Sequence, residues 1–193
     1  MEENPILEFL KKAYVKFLDT SQFILFFVAI MLIAYMFILQ PHEVSGLSMY
    51  PTFKNKDFLL SYLVDVRINN IRHGDVVVFH SPVEEDKLYI KRVIGLPKDT
   101  IKLEGGAVYR NGDKVDESEY LDDSVPTFGG SFISDGKEVT VSENTLIVMG
   151  DNRPYSSDSR AWGLLPYSEL IGRSLLRFWP VSTFTLIGRD PYN

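Results

Sequence analysis

LYIKRVIGL, Leu88 to Leu96, is an apolar, β-branched run broken by two adjacent cations, Lys91 and Arg92. Its length and the turn signals around it read as a β-strand. Successive strand side chains point to opposite faces, so Tyr89, Lys91 and Val93 share one face and Ile90, Arg92 and Ile94 the other. One of the two basic residues is therefore expected to project towards the buried side. A lysine there either runs its stem along apolar surface to bring the amine to the rim or to an acid, or sits desolvated. In the second case its pKa falls from ~10.4 towards ~7–8, a change of ~4 kcal/mol, and the neutral amine can accept a serine proton. Arginine stays protonated and cannot take that part.

Working outward, similar short runs recur: VVVF at Val76 to Phe79, VTV at Val139 to Val141, TLIVMG at Thr145 to Gly150 and SLLRFW at Ser174 to Trp179. Asn69-Asn70, Ser81-Pro82, Gly105-Gly106, Asn111-Gly112, Gly129-Gly130 and Asp135-Gly136 separate them as turns. The fold class is mostly β. Between Asp113 and Ser124 six acids face one lysine, which reads as a solvated excursion outside the main core. About Gly105 to Glu143 is expected to form a small accessory β lobe.

Upstream, Phe23 to Leu39 (FILFFVAIMLIAYMFIL) is free of charge and as a helix would measure ~26 Å, near the ~30 Å of a bilayer's hydrocarbon. A secretory signal peptide would be shorter and end in a small-x-small site, whereas Gln40, Pro41 and His42 follow here. A buried core helix would carry polar residues on one face. The expectation is a single transmembrane helix over 23–39. Lys11, Lys12 and Lys16 precede it and the next positive charge is Lys54, so residues 1–22 are expected in the cytoplasm and 40–193 outside the cell membrane. Whether PILEFLKKAYVKFL lies on the inner surface or continues the span is left open by periodicity.

Composition narrows the chemistry. The chain has 193 residues, a net charge of -6 and no cysteine. Disulfides, thiolate catalysis and cysteine-ligated metals are excluded, and nothing suggests a nucleic-acid partner. Three histidines, His42, His73 and His80, give no ligand spacing, so no metal is expected. His73 and His80 have no recognisable orienting acid, which argues against a Ser–His hydrolase.

Two further segments carry reactive groups. SGLSMYPT, Ser45 to Thr52, would pass for a turn on its own, and it is not the GxSxG elbow because Tyr50 stands where the second glycine belongs. GDNRPYSSDSRAWG, Gly150 to Gly163, follows an apolar strand. There Asp158 has Arg160 as a natural partner, and hydroxyls such as Ser156 and Ser159 could hold a lysine amine.

Taken in order, the anchor, SGLSMYPT, HGDVVVF at His73 to Phe79, YIKRVIGLP at Tyr89 to Pro97 and GDNRPYSSDSRAWG resemble bacterial type I signal peptidases. The likeness covers most of the part after the anchor, apart from the accessory lobe. It implies a β catalytic domain at the outer membrane surface that cleaves signal peptides from exported preproteins, with no cofactor. Carried over by position, it implies Ser48 as nucleophile and Lys91 as general base, with Ser156 orienting the amine and Asp158 and Arg160 forming an ion pair. The Ser48 N–H would face the oxyanion. Some members add a serine side chain two positions before the nucleophile; this chain has Gly46 there, which the resemblance sets beside Ser48 at the oxyanion but without a hydroxyl. Lys98 stands where a glycine often follows GLP. The single anchor, the short lobe and Gly46 look more like enzymes of Gram-positive bacteria.

By the same resemblance Val44, Met49, Tyr89 and Ile90 would line shallow pockets for the small residues of an A-x-A-type site, the substrate binding as an added strand. Ser48 comes nine residues after Leu39, at most ~30 Å of chain, which keeps the serine near the bilayer surface. The alternative is a signal-peptidase-like assembly factor that holds a secreted or surface-fibre subunit without cleaving it. Such a protein would be expected to lack the serine or the lysine.

Overall fold

Pro41 decides where the first element stops. A residue before proline is pushed out of the helical region, and the helix containing the apolar run ends at Phe37, with Leu39 and Gln40 already extended. The span expected over 23–39 is corrected at that end. The computed structural model describes residues 5–122 and 124–188; residues 1–4 and 189–193 of the expected end segments, and Asp123 of the acidic run, lie outside them. Helix α1 is continuous over Pro5–Phe37, so PILEFLKKAYVKFL continues the helix that carries the apolar run. Its 33 residues correspond to ~50 Å, none is buried, and it is long and apolar enough to cross a membrane.

From Gln40 on the chain forms a second unit. Its first strands are β1 (Leu39–Glu43) and β2 (Phe58–Tyr62). A short helix α2 (Val64–Arg67) leads to β3 (Val76–His80) and β4 (Leu88–Gly95). Then come β5 (Thr100–Glu104), β6 (Ala107–Arg110), β7 (Asp113–Lys114), β8 (Glu138–Thr140) and β9 (Thr145–Met149). Helix α3 (Ser159–Trp162) and strands β10 (Leu165–Pro166), β11 (Leu170–Trp179) and β12 (Thr185–Leu186) complete it. The main sheet runs β1-β2-β11-β3-β4-β9-β10, with β12 on β11; β7-β6-β5-β8 form a smaller sheet.

Strand β4 lies in the interior of the main sheet, with Lys91 opposite Val77 of β3 and Arg92 opposite both Val76 of β3 and Met149 of β9. Apolar clusters lie on both sides of it. Val77, Phe79, Val93, Leu146 and Val148 pack together in one, and Val44, Met49, Val76, Val78 and Ile90 in another. At about 1.5–3 kcal/mol for each fully buried aliphatic side chain, these clusters hold the strand rigid. The expectation that only one of Lys91 and Arg92 is buried is corrected: they are 3% and 5% exposed, because the strand is covered on both faces.

The small sheet begins at Thr100, earlier than the lobe expected from Gly105, and it has no core of its own. Ile101, Leu103, Val108 and Val115 pack with Ile94 of β4 and with Ile147 and Met149 of β9. The acidic run is likewise not a free excursion. Its few apolar residues, Val115, Tyr120 and Leu121, are buried, and Glu117 pairs with Arg153.

Candidate active site

The loop after β1 carries Ser48. Gly46 adopts φ +98°, a conformation that side-chain-bearing residues rarely take, and its N–H donates to Asn55 Oδ1 at 2.9 Å. That N–H is therefore committed, and Gly46 has no hydroxyl, so the expectation that Gly46 contributes to an oxyanion hole is corrected. The Ser48 N–H has no acceptor among the described residues.

Lys91 Nζ lies 2.6 Å from Ser48 Oγ. As an ammonium it donates to the hydroxyl, and as an amine it accepts the hydroxyl proton. Among the described residues no carboxylate forms an ion pair with it. Burial lowers the Lys91 pKa from the usual 10.5 to about 8, partly opposed by the more distant charges of Asp158 and Asp151 and aided by Arg160. The two carboxylates are engaged elsewhere. Asp151 receives Arg92 Nε at 2.9 Å and Nη2 at 2.7 Å, and Asp158 receives Arg160 Nε and Nη2, both at 2.8 Å. Each carboxylate is thus already matched by a bidentate guanidinium, which leaves desolvation to govern the lysine.

The loop after β9 holds the serine in place. Asn152 N–H donates to Ser48 O at 2.9 Å, Asn152 Nδ2 to Leu47 O at 3.0 Å, and Thr52 Oγ1 to Asp151 Oδ2 at 2.6 Å. Asp158 caps α3 by accepting from Arg160 N, and it also accepts from Gly150 N at 3.1 Å. Burial pushes its carboxyl up, but the Arg160 guanidinium, the Gly150 N–H and the Ser156 hydroxyl outweigh that and hold it below the usual range. Ser159 Oγ accepts from Val148 N at 3.0 Å.

The structure brings together Ser48 and Lys91, and separately Asp158 and Arg160. It does not join Ser156 to the amine. Ser156 Oγ is buried between Gly150 and the Asp158 carboxylate, with no hydrogen bond to the amine. A Cβ on Gly150 would lie 2.2 Å from Ser156 Oγ and 2.4 Å from Ser48 O. Gly150→Ala is therefore expected to shift the nucleophile loop and lower kcat by about a hundredfold, the usual cost of a 1 Å misplacement. Steady-state cleavage rates check this, and a wild-type kcat would show that the loop yields freely.

An open cleft of about 390 Å³ reaches Ser48 and Lys91, and Val44, Met49, Tyr89 and Ile90 all line it. Among the described residues no group of His, Asp and Glu is placed to hold a metal ion. The reading that His73 has no acid is corrected: its Nε2 lies 2.6 Å from Asp99 Oδ2. That pair is absent from the cleft lining, and Ser48 meets Lys91 rather than a histidine. Sequence reasoning missed Arg92–Asp151, Thr52, Asn152 and Arg153–Glu117. The density of charge around Asp151 to Arg153 was the available signal.

A β-sheet scaffold that sets a serine hydroxyl against a buried lysine beside an open cleft has the constitution of a serine hydrolase of the Ser–Lys kind. The family model described as signal peptidase, peptidase S26, matches residues 17–179, and the chain belongs to that family. It is similar to signal peptidase IB of Staphylococcus aureus (strain COL), 35% identical over 159 residues, covering 77% of this chain and 82% of that protein. It is also similar to signal peptidase I of Leptolyngbya laminosa, 36% identical over 163 residues, with 80% and 76% covered. The crystal structure of a signal peptidase I from Enterococcus faecalis V583 matches with a TM-score of 0.44 at 26% identity, over 53% of this chain and 95% of that one.

Proposed function

We propose that this signal peptidase cleaves exported preproteins with Ser48 as nucleophile and Lys91 as general base. The observation that carries the reading is the 2.6 Å contact between Ser48 Oγ and the Lys91 amine, in a setting that disfavours charge on the lysine. Ser48 Oγ attacks the scissile carbonyl while neutral Lys91 takes its proton. The resulting ammonium returns that proton to the leaving amine. Water then attacks the acyl-enzyme, again deprotonated by Lys91, and Ser48 is released. The Ser48 N–H faces the developing oxyanion. Asp158 and Arg160 hold the loop that positions the serine, and Ser156 packs behind it.

Val44, Met49, Tyr89 and Ile90 form the pockets for small side chains. β1 ends the order of the main sheet, and its Pro41, His42 and Glu43 line the cleft, so an extended peptide can add along it. The apolar part of α1 is the membrane anchor. The lysines before it support an orientation with the N-terminus in the cytoplasm and the domain from Gln40 on the outer face, where the bilayer holds the signal peptide's own apolar segment. No observation favours a non-cleaving assembly factor, since both the serine and the lysine are present and in contact.

The test is incubation of a purified preprotein with the full chain in detergent, followed by N-terminal sequencing of the product. Cleavage after a small-x-small site supports the reading, and an intact preprotein refutes it. The pH dependence follows from the lysine. The active form is the unprotonated amine, so kcat/KM should rise about tenfold per pH unit up to about 8 and then level off. A rise confined to the ordinary lysine range would contradict a desolvated base. The unfolded chain holds the proton more tightly, so the same group makes the fold gain stability as pH climbs from about 8 towards 10.5.

A further inference from the structure

Three large aromatic side chains stand exposed beside the loop that holds Ser48: Tyr155 at 77%, Phe128 at 58% and Phe132 at 39%. One arginine ties their backbones together. Arg160 Nη1 donates to Phe128 O at 3.2 Å, and Nη2 to Arg153 O at 2.7 Å, two residues before Tyr155. Phe132 N donates to Arg160 O at 2.9 Å, and Ser131 Oγ to Ala161 O at 2.8 Å. The turn between the two phenylalanines lies flat on α3. A Cβ on Gly130 would fall 2.5 Å from Arg160 O, and one on Gly129 2.6 Å from Asp135 N, so only glycine allows so close an approach. Apolar residues exposed singly are ordinary. Three aromatic rings on backbone pinned in this way are a preformed apolar surface that needs little further ordering to bind.

Continuity with the cleft says what covers this surface. Tyr155 and Ser157 line the cleft together with Ser48 and Lys91. Its other walls include Pro41 to Glu43 of β1, which lead in sequence to Ser48, and Leu88 to Ile90 of β4, which lead to Lys91. Leu88 is three residues before the lysine, about 10 Å away along the strand. A signal peptide laid along these strands therefore passes its scissile bond to Ser48 and continues beyond it, towards Tyr155. The links from the serine to the phenylalanines are short. Ser48 O receives Asn152 N, Arg153 follows in the chain, and Arg153 O shares the Arg160 guanidinium with Phe128 O. At about 3.3 Å per extended residue, the third to sixth residues after the scissile bond fall roughly 10–20 Å from the serine.

We propose that Tyr155, Phe128 and Phe132 form a docking ledge for the mature part of the preprotein, the segment that follows the scissile bond. The ledge favours apolar side chains at the third to sixth residues of that segment, because these cover exposed ring faces that glycine and serine leave in water. This rests on the reading that the cleft holds the signal peptide.

The test uses two preproteins identical except at those four positions, where one carries leucine and phenylalanine and the other glycine and serine. It reads the ratio of their kcat/KM values with the full chain in detergent, in which the active fraction of enzyme cancels. The wild-type ratio should be about tenfold in favour of the apolar preprotein, mainly through KM, the scale of covering one or two half-exposed rings. In the double variant Phe128→Gln with Phe132→Gln, which keeps the backbone contacts to Arg160, the ratio should fall to within about twofold of one. A wild-type ratio near one overturns the proposal and leaves the peptidase reading standing, as does a preference that survives in the double variant. If that variant keeps the preference but loses binding to lipid vesicles or self-association, the rings belong to a bilayer or to a second copy of the chain instead. A wild type that cleaves neither preprotein overturns the peptidase reading as well.

Discussion

Lys91→Ala is expected to lower kcat for preprotein cleavage by about a thousandfold or more, with the domain still folded. Positioned proton transfer contributes roughly 10²–10⁴ to rate, and here one amine serves in both acylation and deacylation. Nothing described is placed to replace it. Ser48 Oγ has Lys91 Nζ at 2.6 Å, and the nearby carboxylates of Asp151 and Asp158 are held by Arg92 and Arg160. Ser48→Ala removes the atom that forms the acyl-enzyme and should abolish turnover. Lys91→Arg is the sharper variant. It keeps a cation of similar length but one that stays protonated, so it should be as inactive as alanine. Truncation of a buried lysine removes a desolvated amine, and the melting temperature should therefore hold or rise while activity disappears. Substantial turnover by Lys91→Arg would remove the amine from the mechanism.

The parts legible in the sequence share a local cause. Val76 to Phe79 and Thr145 to Met149 are apolar runs bounded by turn residues, so β3 and β9 could be read without knowing their partners. Lys91 was legible because a cation in a strand with buried faces is a local contradiction that needs a reason. Arg92 was misjudged by the same reasoning, which supposed one wet face where the structure packs apolar clusters on both sides. What stayed hidden depends on long-range closure. His73 and Asp99 are 26 residues apart, and Glu117 and Arg153 are 36 apart. Neither spacing has a local signature, and Glu117 sits in a run whose composition reads as solvent-exposed. Ser156 shows a limit of carrying a role over by position: the residue lies beside the site, yet its hydroxyl sits by Gly150 and Asp158 rather than on the amine.

Glu117→Ala is expected to destabilise the domain by about 3 kcal/mol or more, because it strands a buried charge. The Arg153 side chain is 0% exposed and that of Glu117 10%. The guanidinium meets Glu117 Oε1 at 2.5 Å and Oε2 at 3.1 Å, Gly150 O at 3.0 Å, and Thr127 Oγ1. Burial works against the charge, but the carboxylate outweighs it and keeps Arg153 more firmly protonated than usual. Without Glu117 the cation can neither shed its proton nor reach water. The remaining acceptors are neutral dipoles that cannot balance a full charge. For a chain of this length the loss corresponds to a drop of roughly 10 °C in melting temperature, measurable on the full chain in detergent. The double variant Glu117→Leu with Arg153→Met separates charge from packing. It replaces the pair by apolar groups of similar volume, and should recover most of the stability. Activity should not recover with it, since Arg153 Nε fixes the Gly150 carbonyl and Arg153 O receives Arg160 Nη2 at 2.7 Å. Those contacts are what tie the acidic run of the small sheet to the loop that holds Ser48. A Glu117→Ala enzyme with wild-type melting would mean that the guanidinium finds water after all, and that the pair is not closed.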